Sequence, residues 1–225
     1  MRGRLWLAGA AIAAVMGSST ALASVVVVKS LGPSAKAYPP GKTLPESAKI
    51  SLQGGDVVTV LGPASAQTLR GPGSFSAGQM SLASAERGRF GALRAADVAH
   101  NPSIWDIDVS QSGKMCVRDP AKLQLWRPDK EAAVTVKIQD ADGKSQELSW
   151  AAGAALAPWP SALPLMNGAE YQVEWPDSGD SSKLRLVTIV PPPPDDLVGA
   201  AQVLIDHGCQ KQLDLLVQSA SKTGN

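Results

Sequence analysis

Few side chains in this sequence have the type and spacing for chemistry, and the most concentrated group lies near the end. The stretch Leu204–Val217, LIDHGCQKQLDLLV, holds Cys209 and, two residues before it, His207. A thiolate beside an imidazole is the pairing of a cysteine nucleophile. The spacing argues against that use. Two residues on a continuous helix turn through about 200°, which sends the side chains to opposite sides unless Gly208 interrupts the helix. A zinc site needs three or four ligands. Two cysteines and the distant pair His100 and His207 supply no such cluster. The remaining use is a disulfide with Cys116, in SGKMCVRD, the one other cysteine. That pairing needs an oxidising compartment.

Asp106 and Asp108 share one face of the alternating stretch IWDIDVS. Calcium takes six or more oxygen ligands, usually from a loop, so two aspartates on a strand read as a solvated face. Beyond residue 23 the tryptophans are Trp105, Trp126, Trp150, Trp159 and Trp175. Their main reading is core or edge packing. Trp105 joins Ile107 and Val109 on the apolar face, and Trp150 and Trp175 end strands. Trp159, in APWP, and Trp126 are the candidates for a platform on which a glycan would stack. Arg87, Arg89 and Arg94 form a basic group suited to an acidic partner. The GPG at 71–73 lacks the Lys-Ser/Thr ending of a phosphate loop, and neither Gly-x-Ser-x-Gly nor His-Glu-x-x-His occurs. No catalytic residue, metal or cofactor is assigned.

The N-terminus supplies the compartment. Arg2 and Arg4 precede a twelve-residue apolar run, Leu5–Met16, and Ala21-Leu22-Ala23 is a small-x-small site. This is the layout of a secretory signal peptide, and twelve apolar residues fall short of the ~20 that span a bilayer. Cleavage after Ala23 predicts a soluble periplasmic or secreted protein starting at Ser24, with no stable membrane insertion. Loss of Arg2 and Arg4 takes the 21 basic residues to 19, against 20 acidic ones. That balance lacks the basic footprint of a nucleic-acid binder.

Most of the body reads as short strands. SVVVVKSL is a β-branched run. KISL and DVVTVL flank Gly54-Gly55 as a hairpin would. AAVTVKIQ and KSQELSW flank a turn at Asp140–Gly143, and EYQVEW and KLRLVTIV flank PDSGDSS. Residues 76–103 read as a connecting segment. Residues 191–194 are four prolines, a stiff spacer. Asp195 or Asp196 then caps a helix with Leu197, Ala200, Ala201 and Leu204 on one face, and Gly208 ends or kinks it. Cys209, Leu213, Leu216, Val217 and Ala220 continue as a second helical stripe.

Residues 26–75, with Gly41-x-x-Leu44 and Gly55-Asp56, resemble the periplasmic FecR-type β-domain. The segments LWRP at 125–128, WPSALP at 159–164 and GCQKQLDLL at 208–216 are similar to those of exported bacterial proteins. The resemblance implies a non-enzymatic envelope module. The FecR family's membrane-spanning, sigma-regulator-binding segment has no counterpart, so anti-sigma signalling is not carried over. The expected architecture is mainly β. A signal peptide (1–23) precedes an N-terminal FecR-like β-module (24–75) and the connection (76–103). An immunoglobulin-like β-sandwich (104–190), a proline spacer (191–196) and a short C-terminal helical hairpin (197–220) follow. The expected function is an interaction or scaffold module whose partner is an envelope protein or a glycan. Carbohydrate binding through Trp, or a cryptic hydrolase, is the alternative.

Overall fold

The computed structural model describes residues 24–78 and 101–223. The fold is mainly β, with several sheets and two C-terminal helices.

The N-terminal strands are β1 (Ser24–Leu31), β2 (Thr43–Pro45), β3 (Lys49–Leu52), β4 (Val57–Leu61), β5 (Ala66–Arg70) and β6 (Gly73–Ser76). They form a four-stranded sheet, β2-β1-β4-β5, and a two-stranded sheet, β3-β6. A strand covered on one face alternates apolar and polar, whereas one covered on both reads as an unbroken apolar run. β1 is the second kind. Val25 and Val27 enter a core with Ile50, Leu52, Val58 and Val60. Val26 and Val28 point the other way, with Leu61, into a core shared with the C-terminal helices. Burying each valine contributes about 1.5–3 kcal/mol.

The hairpin expected around Gly54-Gly55 does not form. β3 pairs with β6, while β4 pairs with β1 and β5. The turn itself exists, since Asp56 N–H donates to Gln53 O at 3.1 Å. Its flanking strands diverge into different sheets, and the Asp56 side chain ties the turn both to itself and to the connection after β1. Its carboxylate accepts from Ser34 N at 2.8 Å and from Gln53 N at 2.6 Å. Ser34 belongs to the connection after β1, so these bonds draw β4 alongside β1. Gly32 allows the approach: its φ is +104°, and a Cβ there would lie 2.5 Å from Asp56 Oδ1.

The second module contains β7 (Ile107–Asp108), β8 (Gly113–Val117), β9 (Gln124–Trp126), β10 (Val134–Asp140), β11 (Ser145–Trp150), β12 (Leu156–Pro158), β13 (Glu170–Trp175) and β14 (Asp180–Thr188). The sheets β11-β10-β13-β14-β8 and β12-β9-β7 enclose one core with residues from both, including Ile107, Leu125, Val136, Ile138, Val173 and Leu186. The turns at Asp140–Gly143 and at 176–179 make the expected hairpins β10–β11 and β13–β14. β8 joins β14 in parallel and ends that sheet.

The tail folds as α1 (Leu197–His207) and α2 (Gln210–Thr223). Asp196 caps α1, its Oδ1 accepting from Gly199 N at 2.8 Å. Gly208 has φ +69° and ends the helix. Cys209 N–H donates to Leu204 O and Gly208 N–H to Ile205 O, the paired bonds of a Schellman ending. Ala200, Ala201 and Leu204 of α1, and Leu213, Leu216 and Ala220 of α2, pack against Val26, Val28 and Leu61 on one side and Cys116 and Ile189 on the other. The helices therefore form a layer between the β-modules.

Candidate functional site

Cys116 and Cys209 are disulfide-bonded, with Cα atoms 5.8 Å apart and a sequence separation of 93. Both residues are 0% exposed. Cys116 lies on β8, the end strand of its sheet, and Cys209 on the residue between α1 and α2. As a disulfide sulfur, Cys209 is no nucleophile. His207 serves its own helix, donating from Nδ1 to Val203 O at 2.9 Å. Among the described residues, no group of three or more His, Cys, Asp or Glu could hold a metal ion.

A second tie lies beside the disulfide. The Gln212 side chain, 4% exposed, acts as a strand partner for the end of the sheet. Its Oε1 accepts from Cys116 N at 2.6 Å, and its Nε2 donates to Cys116 O at 2.9 Å and to Ile104 O at 2.8 Å. Buried backbone groups need such partners. Gln212 was not singled out from sequence, although the signal is there: it is a polar residue three positions after Cys209 on an otherwise apolar stripe.

IWDIDVS is mostly turn, with a strand of two residues. Ile107 and Val109 are fully buried in the second core. Trp105 does not join them. It is half-buried against the helical layer, with the Arg118 guanidinium 5.8 Å from its ring centroid. Arg118 also forms an ion pair with Asp195, at the end of the proline spacer. The aspartates do not form a simple solvated face either. Asp108 closes a turn, its Oδ1 accepting from Ser110 N and Oγ and its Oδ2 from Gln111 Nε2. Asp106 is half-buried, and burial pushes its carboxyl above the usual carboxylate range.

Trp126 is 5% exposed, so it belongs to the interior, but one part of it lines a pocket of about 190 Å³ between α2 and the β7–β9 corner. Trp159 is half-buried. It meets Tyr171 edge-on at 4.9 Å, and its Nε1 donates to Leu163 O at 2.8 Å. The two tryptophans stand at opposite ends of the β9–β12 ladder, because Trp126 pairs with Leu156 while Trp159 N–H donates to Leu123 O. They do not make one joint platform. Arg127, 3% exposed, spans the interior nearby, bonding the carbonyls of Ala151 and Ala154 over the Trp150 ring. Arg87, Arg89 and Arg94 lie outside the described residues.

Compared with protein-family models, with curated proteins and with solved structures, the chain matches none. No helix among the described residues is long and apolar enough to cross a membrane.

Proposed function

We propose that this chain is an exported protein of the bacterial envelope, acting as a non-enzymatic interaction or scaffold module. The observation that carries the reading is the buried Cys116–Cys209 bond, which joins the helical layer to the second β-module. Disulfides form and persist in oxidising compartments. The layout of residues 1–23 points to the same place. In this reading the first β-module is FecR-like, the second is immunoglobulin-like, and the mature protein is periplasmic or secreted. Its partner is an envelope protein, met through exposed apolar side chains such as Met166, 63% exposed, and Val190, 83% exposed.

The test has two arms. Intact mass of periplasmic protein is expected to begin at Ser24, and a chain retaining residues 1–23 in the cytoplasm overturns export. In cells, a photo-crosslinker at Val190 or Met166 is expected to yield one discrete adduct with an envelope protein. If no adduct forms while cell-wall glycan fragments quench tryptophan fluorescence saturably, the function is glycan binding instead. Turnover in a broad hydrolase screen would make it an enzyme.

A further inference from the structure

We propose that the pocket between α2 and the β7–β9 corner binds a small organic amine, its ammonium held by the Asp106 carboxylate and its apolar body resting against Trp126. This goes beyond the envelope reading and does not depend on it.

The pocket measures about 190 Å³ and has apolar walls at Trp126, Met115 and Leu215. An engineered apolar cavity of about 150 Å³ accepts benzene, so one ring or a short chain fits here. A pocket of this kind takes its specificity from the few polar groups left unsatisfied within it. Most of the polar lining is already committed. Asn101 bonds Asp106 O and Ser103 N. Asp108 is filled by Ser110 and Gln111, Gln111 Oε1 accepts from Lys211 Nζ, and Gln212 is spent on Cys116 and Ile104. Two lining groups make no hydrogen bond among the described residues, the exposed Gln218 side chain at the rim and the half-buried Asp106 carboxylate, and only the carboxylate carries a charge. Burial without a partner disfavours its charged form.

What the carboxylate lacks is a donor, best a charged one. Lining charges are Asp106 and Asp108 against Lys211, and the lysine is occupied by Gln111. The balance is negative and selects a cation over an anion. An indole in the same wall attracts an ammonium through its ring face. A primary amine on a ring-sized apolar body satisfies the carboxylate, the indole and the apolar wall together. An alcohol of the same shape supplies the hydrogen bond without the charge.

The experiment uses the oxidised protein at neutral pH, with benzylamine and its neutral counterpart benzyl alcohol as probes. Calorimetric titration and the indole N–H resonance of Trp126 report binding. Benzylamine is expected to bind saturably and shift that resonance. Binding should weaken about tenfold or more for the alcohol and for Asp106→Asn, the scale of one lost charge-assisted hydrogen bond. Leu215→Trp leaves Asp106 intact and fills the pocket, so it should abolish binding. Folding of both variants is checked by thermal melting. The proposal is overturned by equal binding of the alcohol, by undiminished binding in folded Asp106→Asn or Leu215→Trp, or by no saturable binding of benzylamine.

Discussion

The side-chain amide of Gln212 pairs with both backbone groups of Cys116, 96 residues away, at 2.6 and 2.9 Å. It continues the hydrogen-bonding pattern of a sheet whose last strand has no further strand neighbour among the described residues. The same cysteine is bonded to Cys209, so one residue on β8 is held to the start of α2 twice, covalently and by hydrogen bonds.

Removing the amide should therefore cost stability even with the disulfide intact. Gln212→Leu keeps most of the volume but leaves the N–H and C=O of Cys116 buried and unpartnered. A loss of about 1–3 kcal/mol is expected. Urea unfolding of oxidised protein measures it. A change within a few tenths of a kcal/mol would show that water or rearrangement replaces the bonds.

Native, unreduced protein is expected to show no reactive thiol on alkylation and mass spectrometry. The paired substitution Cys116→Ala with Cys209→Ala should lower stability by about 2–5 kcal/mol. Because both cysteines are fully buried, reductant should act on folded protein only as fast as the tail opens. Two alkylated thiols in unreduced native protein would contradict the bond.

Asp56 predicts acid sensitivity. Burial alone pushes its carboxyl up, but the hydrogen bonds from Ser34 and Gln53 outweigh that and hold it below the usual range. A depressed folded value means the carboxylate stabilises the fold above its unfolded value, about 3.9. That stabilisation fades as pH falls through the lower folded value. Melting temperature should drop below about pH 4. In Asp56→Asn it should be lower at neutral pH and flatter in acid. A parallel acid profile in the variant would place the acid sensitivity elsewhere.

Asp106 predicts the opposite sign. Burial raises its carboxyl, so the folded state disfavours the charge. Below about pH 3.9 the group is mostly protonated, folded or unfolded, and costs little. Above the raised folded value the full cost of the charge is present. Asp106→Asn should melt higher than the parent at pH 7 and together with it at pH 3. A variant less stable at pH 7 would reveal a partner for the carboxylate.

Local chemistry was legible in the sequence, and long-range placement was not. Asp142-Gly143, the pair Asp195-Asp196 and Gly208 marked the turn and the helix ends, with Asp196 the one that caps, because a tight turn, an N-cap and a left-handed residue are decided within a few residues. Gly54-Gly55 marked its turn equally well, yet the strands around it went to different sheets. Their partners come from strands elsewhere in the chain, β1 and β5 for β4 and β6 for β3, and Ser34, 22 residues away, bonds Asp56 at the start of β4. IWDIDVS misled for a related reason. Its alternation placed Ile107 and Val109 in the second core, but the ladder begins only at Ile107, which leaves Trp105 in the preceding turn and against the helical layer.

By itself the sequence determined the mainly β character, the helical tail and its caps, and the one intramolecular pairing open to two cysteines. Only the tertiary structure decided what covers each face. The four valines Val25–Val28 record that a strand is buried on both sides, but not that helices from the far end of the chain supply the second cover. Gln212 interrupts an apolar helical stripe, whereas Asp106 lies on the polar side of an alternating stretch. One became a satisfied partner of Cys116 and the other a half-buried carboxylate with no donor among the described residues. Periodicity and turn chemistry act over a few residues, whereas burial and hydrogen-bond satisfaction depend on neighbours that folding brings in across nearly a hundred.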